Sequence, residues 1–231
     1  MTTLLTSRPP RTRMTLFFIF FIAFTYLPAL SSAKPQEVTE SELKLLPRYC
    51  LDTMWFPERY DAKSMYWVNV MGKSFSATHH YCWGLTNLNR ARKANAKHRT
   101  GLLEDVLNDF RYVTQYAPSD FVMLPEIYTK IGEVELLIKN PDKANGAFAK
   151  ARSLKPDYWP AYSHWIEFLM QTGKRAEARE IARSGLQHSP DAKVLREQYR
   201  LLGGSPADIP ELKETRTPLS ETSPDTNHIK Q

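Results

Sequence analysis

The sequence predicts an all-α protein built from stacked helical pairs. Three observations carry this: apolar residues recur at helical spacing, small residues alternate with large ones at fixed distances, and parts of the chain repeat after 34 residues. Ala144 recurs as Ala178 and Pro156 as Pro190, while Phe148 maps to Ala182, Ala151 to Gly185, Tyr128 to Tyr162 and Ile131 to Trp165. Each unit reads as two helices. Small residues at 144, 151, 178 and 185 let antiparallel helices approach closely, and Phe148, Leu154, Trp165, Leu169 and Leu186 fill the space between them. Pro156 and Pro190 end each second helix because proline lacks the amide donor that a helix interior requires. Gly173 stands where the two helices of the later unit turn, a C-cap site.

Before the repeats, Arg8, Arg11 and Arg13 precede an apolar run from Leu16 to Leu27 and the small residues Ser31 and Ala33. This is the pattern of a secretory signal peptide, residues 1–33, with cleavage expected after Ala33. The alternative is an uncleaved anchor, although the run is shorter than the ~20 residues a spanning helix needs. Export implies an oxidising compartment, so Cys50 and Cys82 are expected to form one disulfide. The absence of an Asn-x-Ser/Thr sequon points toward a bacterial periplasm. Of the formal charge of +6, three positive charges lie in the leader; the remaining +3 does not suggest a nucleic-acid partner.

Residues 34–76 read as an aromatic-rich capping segment, with a short helix over Ser41–Leu46 and no clear period from Met54 to Phe75. The repeat domain spans 77–204. Its first unit is irregular: a helix over His79–Ala91, a long basic turn from Arg92 to Thr100, and a helix over Leu102–Ala117 with Val106, Phe110, Val113 and Tyr116 on one face. A closing helix over Asp191–Leu202 carries Val194, Leu195, Tyr199 and Leu202 and ends at Gly203 and Gly204. Residues 205–231, rich in Pro, Ser, Thr and charge, are expected to be a disordered tail.

Gly132, Ala144, Phe148, Ala151 and Pro156, followed by Tyr162, Ala178 and Pro190, resemble the tetratricopeptide repeat family over Pro125 to about Pro190. The chain departs from the family pattern at Ile166, where a glycine would follow Trp165. The stretch from His79 to Leu85 is similar to a pattern in bacterial envelope proteins that carry such repeats. The resemblance implies a right-handed α-solenoid of about three helical hairpins plus a C-terminal capping helix. It also implies a partner-binding groove lined by first helices. Carried over position by position, the groove residues are Glu126, Thr129, Lys130, Glu133 and Leu136, then Pro160, Ser163, His164, Glu167 and Met170. The family's Lys, Asn and Arg carboxylate clamp is not reproduced here. The implied role is an adaptor or scaffold for a protein or peptide partner in a cell-envelope complex.

Two other chemistries stay open. His79, His80 and Cys82 include soft ligands suited to zinc or copper, and His79 and Cys82 have helical metal-pair spacing. Trp55, Tyr60, Tyr66, Trp67 and Trp83 offer flat rings for a glycan, but the leading reading is that they pack the end of a solenoid. A haem-attachment motif, a nucleophile elbow, a phosphate-binding glycine loop and a His-Glu-x-x-His zinc site are all missing, so no enzyme activity and no cofactor are expected.

Overall fold

The computed structural model describes residues 38–55 and 57–209, without the side chains of 57–62 and 206. The expected leader and residues 210–231 of the expected tail lie outside the described residues. The chain divides into two units, Met1–Val38 and Thr39–Gln231; all helices among the described residues belong to the second. They are α1 Glu40–Leu43, α2 Pro57–Met71, α3 Thr78–Lys93, α4 Ala96–Tyr116, α5 Leu124–Leu137, α6 Pro141–Leu154, α7 Pro160–Gln171, α8 Arg175–His188 and α9 Lys193–Leu201. No strand occurs among the described residues, and none of their helices is long and apolar enough to cross a membrane.

The N-terminal segment is fixed by three kinds of bond. Thr39 caps α1 reciprocally with Glu42, satisfying two backbone amides that the first turn leaves without partners. Glu42 then receives Arg90 of α3 through Nε at 2.5 Å and Nη2 at 3.0 Å. Cys50, in the 3₁₀ turn Arg48–Asp52, forms the expected disulfide with Cys82 of α3 at a Cα–Cα distance of 5.6 Å. Both sulfurs are fully buried, beside Leu46 and Leu85. Closing a loop with a sequence separation of 32 contributes roughly 3–4 kcal/mol on the chain-entropy model.

Several elements differ from expectation. Helix α1 covers Glu40–Leu43 rather than Ser41–Leu46. Helix α2 occupies part of the stretch that shows no period, because Met65, Tyr66 and Val70 are exposed and mask any apolar stripe. The long basic turn is absent: α3 runs to Lys93, and Asn95 caps α4 by accepting from the His98 amide. The basic residues instead serve the helix end. Arg90, Arg92 and Lys93 stand at the negative end of the α3 dipole, and Arg99 donates to the Ala91 and Ala94 carbonyls. Tyr116 and Val194, expected on apolar faces, are exposed.

The 34-residue period is present in the local geometry. Helices α6 and α8 are each 14 residues long and begin 34 residues apart. Each first helix ends alike: the Asn140 amide bonds the Glu135 carbonyl at 2.8 Å, and the Lys174 amide bonds the Leu169 carbonyl at 2.8 Å. Gly173 takes φ 77° at this turn, as expected, whereas its counterpart Lys139 takes φ 65° with a Cβ present. Ala144 and Ala178 are both fully buried in one cluster.

Close approach explains the residue choice at the helix contacts. A Cβ at Gly132 would lie 2.6 Å from the Phe148 ring, and one at Gly84 would lie 2.5 Å from Phe110. One repeat after Gly132 and Phe148 stand Ile166 and Ala182, both fully buried in the same cluster. Bulk has moved from the later helix of the contact to the earlier one, which accounts for the isoleucine at 166.

Two apolar clusters result. One joins α3, α4 and α5 with Ala147 of α6, and the other joins Ala144 and Phe148 of α6 with α7, α8 and α9. Glu135 is 1% exposed and ties the elements around it together, receiving Arg111 of α4 at 2.5 Å and Asn140 at 3.1 Å.

Two outcomes follow from these contacts. Lys139→Gly is expected to raise the unfolding free energy by about 0.5–1 kcal/mol, the αL penalty less the added chain entropy. A urea midpoint that does not rise at constant m would contradict it. The second concerns pH. Arg90, by hydrogen bonding, lowers the Glu42 carboxyl from 4.5 to about 2. A lowered folded value means that the contribution is complete above 4.5 and is lost as pH falls toward 2. Glu42→Gln is therefore expected to cost about 1 kcal/mol near neutral pH, with a deficit that shrinks once pH drops below 4.5. A deficit independent of pH in urea titrations would remove this assignment.

Candidate partner-binding groove

Side chains of α5, α7 and α9 line two adjoining recesses. The first, about 390 Å³, is lined by Arg92 from the end of α3, Glu133, Leu136 and Leu137 of α5, and His164, Glu167, Phe168 and Gln171 of α7. The second, about 510 Å³, is lined by Glu167 and Met170 of α7 with Lys193, Val194, Glu197, Gln198 and Leu201 of α9. Glu167 belongs to both.

The structure gathers Glu133, Leu136, His164, Glu167 and Met170, five of the residues the resemblance implies, along these walls. Lys130 joins them through Glu133. Thr129 and Ser163 are placed differently. Thr129 is 2% exposed and donates to the Pro125 carbonyl at 2.8 Å. Ser163 is 3% exposed, and its hydroxyl accepts from Gln198 at 3.0 Å. Their hydroxyls bond within the chain. Pro160 occupies the first position of α7, where its missing amide costs nothing.

Glu133 organises the charge at the floor. Its side chain is 13% exposed and meets Lys130 at 2.7 Å, His164 Nε2 at 3.3 Å and Arg92 at 3.7 Å. His164 Nδ1 lies 3.8 Å from Glu167, whose side chain is 53% exposed. The first recess thus has a largely compensated floor, apolar walls at Leu136, Leu137 and Phe168, and one accessible carboxylate at its rim.

Beside it, Glu126 accepts from the Tyr81 hydroxyl at 2.6 Å. Burial and then the Glu126 charge push the Tyr49, Tyr81 and Tyr158 phenols upward. These rings stay neutral.

Sequence reasoning missed Arg92 and the α9 residues. The signal for α9 was available: advancing Pro160, Ser163, His164 and Glu167 by one more period gives Val194, Glu197, Gln198 and Leu201, all of which line the second recess. Arg92 gave no comparable signal, because it was read as part of a turn.

The other candidate sites change character. Cys82 is in the disulfide, so its sulfur is not a thiolate ligand. Among the described residues, no group of three or more His, Cys, Asp and Glu side chains could hold a metal ion. Trp55 packs edge-on against Trp83 at 4.8 Å; Trp67 packs against Tyr49, Tyr66 and Phe75 and donates from Nε1 to Asp52 at 2.9 Å. Tyr60's side chain lies outside those described.

No protein-family model matches this chain, and no curated protein matches it.

The floor network predicts a contrast. Glu133→Gln leaves Lys130 and Arg92 facing each other without a counter-charge and is expected to cost about 1 kcal/mol, while Glu167→Gln costs less than about 0.5 kcal/mol. Added salt should narrow the difference by screening the cations. Equal urea midpoints for the two variants at low salt would refute the ranking.

Proposed function

We propose that this chain is a non-catalytic adaptor that holds an extended or helical segment of a protein partner in the α5–α7–α9 groove. The observation that carries the reading is the selection of elements. Alternate helices along the chain line both recesses, joined only by Arg92 from the end of α3, which is itself an alternate helix. Stacked helical pairs produce this arrangement, because first helices form one layer and second helices the other. The common bounds of α6 and α8, the repeated turn bonds and the buried Ala144 and Ala178 support a tetratricopeptide-like solenoid of paired helices. The polar outer side of α9, with Lys193, Arg196 and Arg200, suits a capping helix.

The leader pattern and the disulfide support an exported, periplasmic setting and a place in an envelope assembly. The groove supports recognition of a segment with apolar anchors beside polar groups, in the manner of helix-in-groove or extended-peptide binding. A cofactor and a nucleic-acid partner are not part of this reading.

A photo-crosslinking amino acid at Gln171 or Leu201 tests it against the same residue at Lys150, which is exposed on α6. Crosslinking in the native envelope is expected to yield a discrete protein adduct from the groove positions and none from Lys150. Glu167→Lys combined with Val194→Asp should weaken that capture at least tenfold while leaving the helical content and unfolding midpoint in place. Identical adducts from all three positions, or capture indifferent to the double variant, would exclude the groove as the binding surface.

A further inference from the structure

None of the groove-lining residues is involved in a second feature, at the start of α3. His79 and His80 are the second and third residues of that helix. Neighbouring residues on a regular helix point about 100° apart, yet these two imidazoles lie with ring centres 4.4 Å apart. Helix α4 fixes one of the two rings: Tyr112 packs on the His80 ring at 3.9 Å, and Asp109 holds its Nδ1 at 3.0 Å.

The hydrogen bonds decide where the lone pairs are. His79 Nδ1 stands 2.8 Å from the Ser76 carbonyl oxygen. A carbonyl oxygen only accepts, so Nδ1 carries the proton and the neutral ring keeps its lone pair on Nε2. The Asp109 carboxylate imposes the same tautomer on His80. Metal-binding histidines show this arrangement: the distal nitrogen donates to a backbone carbonyl or carboxylate, which orients the ring and strengthens the other nitrogen as a ligand. Both forms of that outer support are present, one on each ring.

We infer that His79 and His80 form a two-imidazole site for a divalent transition-metal ion, with copper(II) bound most tightly. A ring-centre separation of 4.4 Å is one that two imidazoles bound through Nε2 to a single ion at about 2.0–2.1 Å can have. Both rings are half-buried, so each keeps contact with solvent, and water completes the coordination. Cys82 does not contribute, since its sulfur is bonded to Cys50. The absence of a thiolate favours copper, nickel or zinc, and the usual order of affinities puts copper first.

Copper(II) titration of the oxidised protein, followed by calorimetry and electron paramagnetic resonance, tests this. One equivalent is expected to bind with superhyperfine coupling to two nitrogens. His79→Ala and His80→Ala should each lose one coupled nitrogen and weaken binding at least tenfold, with His79→Gln as the substitute if alanine disturbs the helix. Asp109→Asn removes no ligand but should weaken binding 10- to 100-fold, the effect of losing an outer-shell partner. His164→Ala, in the groove, should leave the affinity unchanged. Absence of saturable binding, or one equivalent bound equally well by His79→Ala and His80→Ala, would overturn the site.

Discussion

Where two helices of this chain pack side by side, one of them has to give up its side chain so that the other can place a ring there. Gly84 does so for Phe110 and Gly132 for Phe148. Interaxial distances of 8–10 Å tolerate no second bulky group at the point of contact. One repeat later the roles exchange, with Ile166 large and Ala182 small. The constraint is therefore on the summed volume across the contact, which lets the residue types drift while the packing stays. The recesses lined by α5, α7 and α9 depend on those approaches being held.

That constraint also explains which parts of the fold were legible. Positions with no room for a wrong residue, such as Ala144, Ala178 and Gly185, repeat visibly, and they fixed the helices of the second half. The segment ahead of α3 has no such contact rule. Its stability comes from a disulfide, an Arg90–Glu42 pair and edge-to-face aromatics, none of which imposes a period on the sequence. Helix α2 went unread for that reason, although Pro57 at its first position and Gly72 after its end, at φ 83°, are ordinary boundary signals. The basic run before α4 looked like a loop because charge suggests solvent. Here the charges cover carbonyls at a helix end.

The groove was half legible. Periodicity gives the direction in which a side chain leaves its own helix but not whether the next helix covers it. Glu133 and Glu167 share a face by spacing, and they do share a recess. Ser163 shares that face too, yet Gln198 from α9 lies over it and bonds both its hydroxyl and its carbonyl. Similarly, the imidazoles at 79 and 80 diverge on a helical wheel. Asp109 and Tyr112, some thirty positions away and unrelated by any repeat, hold the His80 ring, while the Ser76 carbonyl holds that of His79.

Helix α6 is a wall common to two rooms. Ala147 faces the cluster of the first half, while Ala144 and Phe148 face the other. Neither half owns a full set of walls without it, so cutting the chain on either side of α6 strips one interior of its lining. The polypeptide from α3 to α9 consequently behaves as one structural inheritance, and a shortened version that keeps only one half exposes a greasy flank that the intact chain never presents.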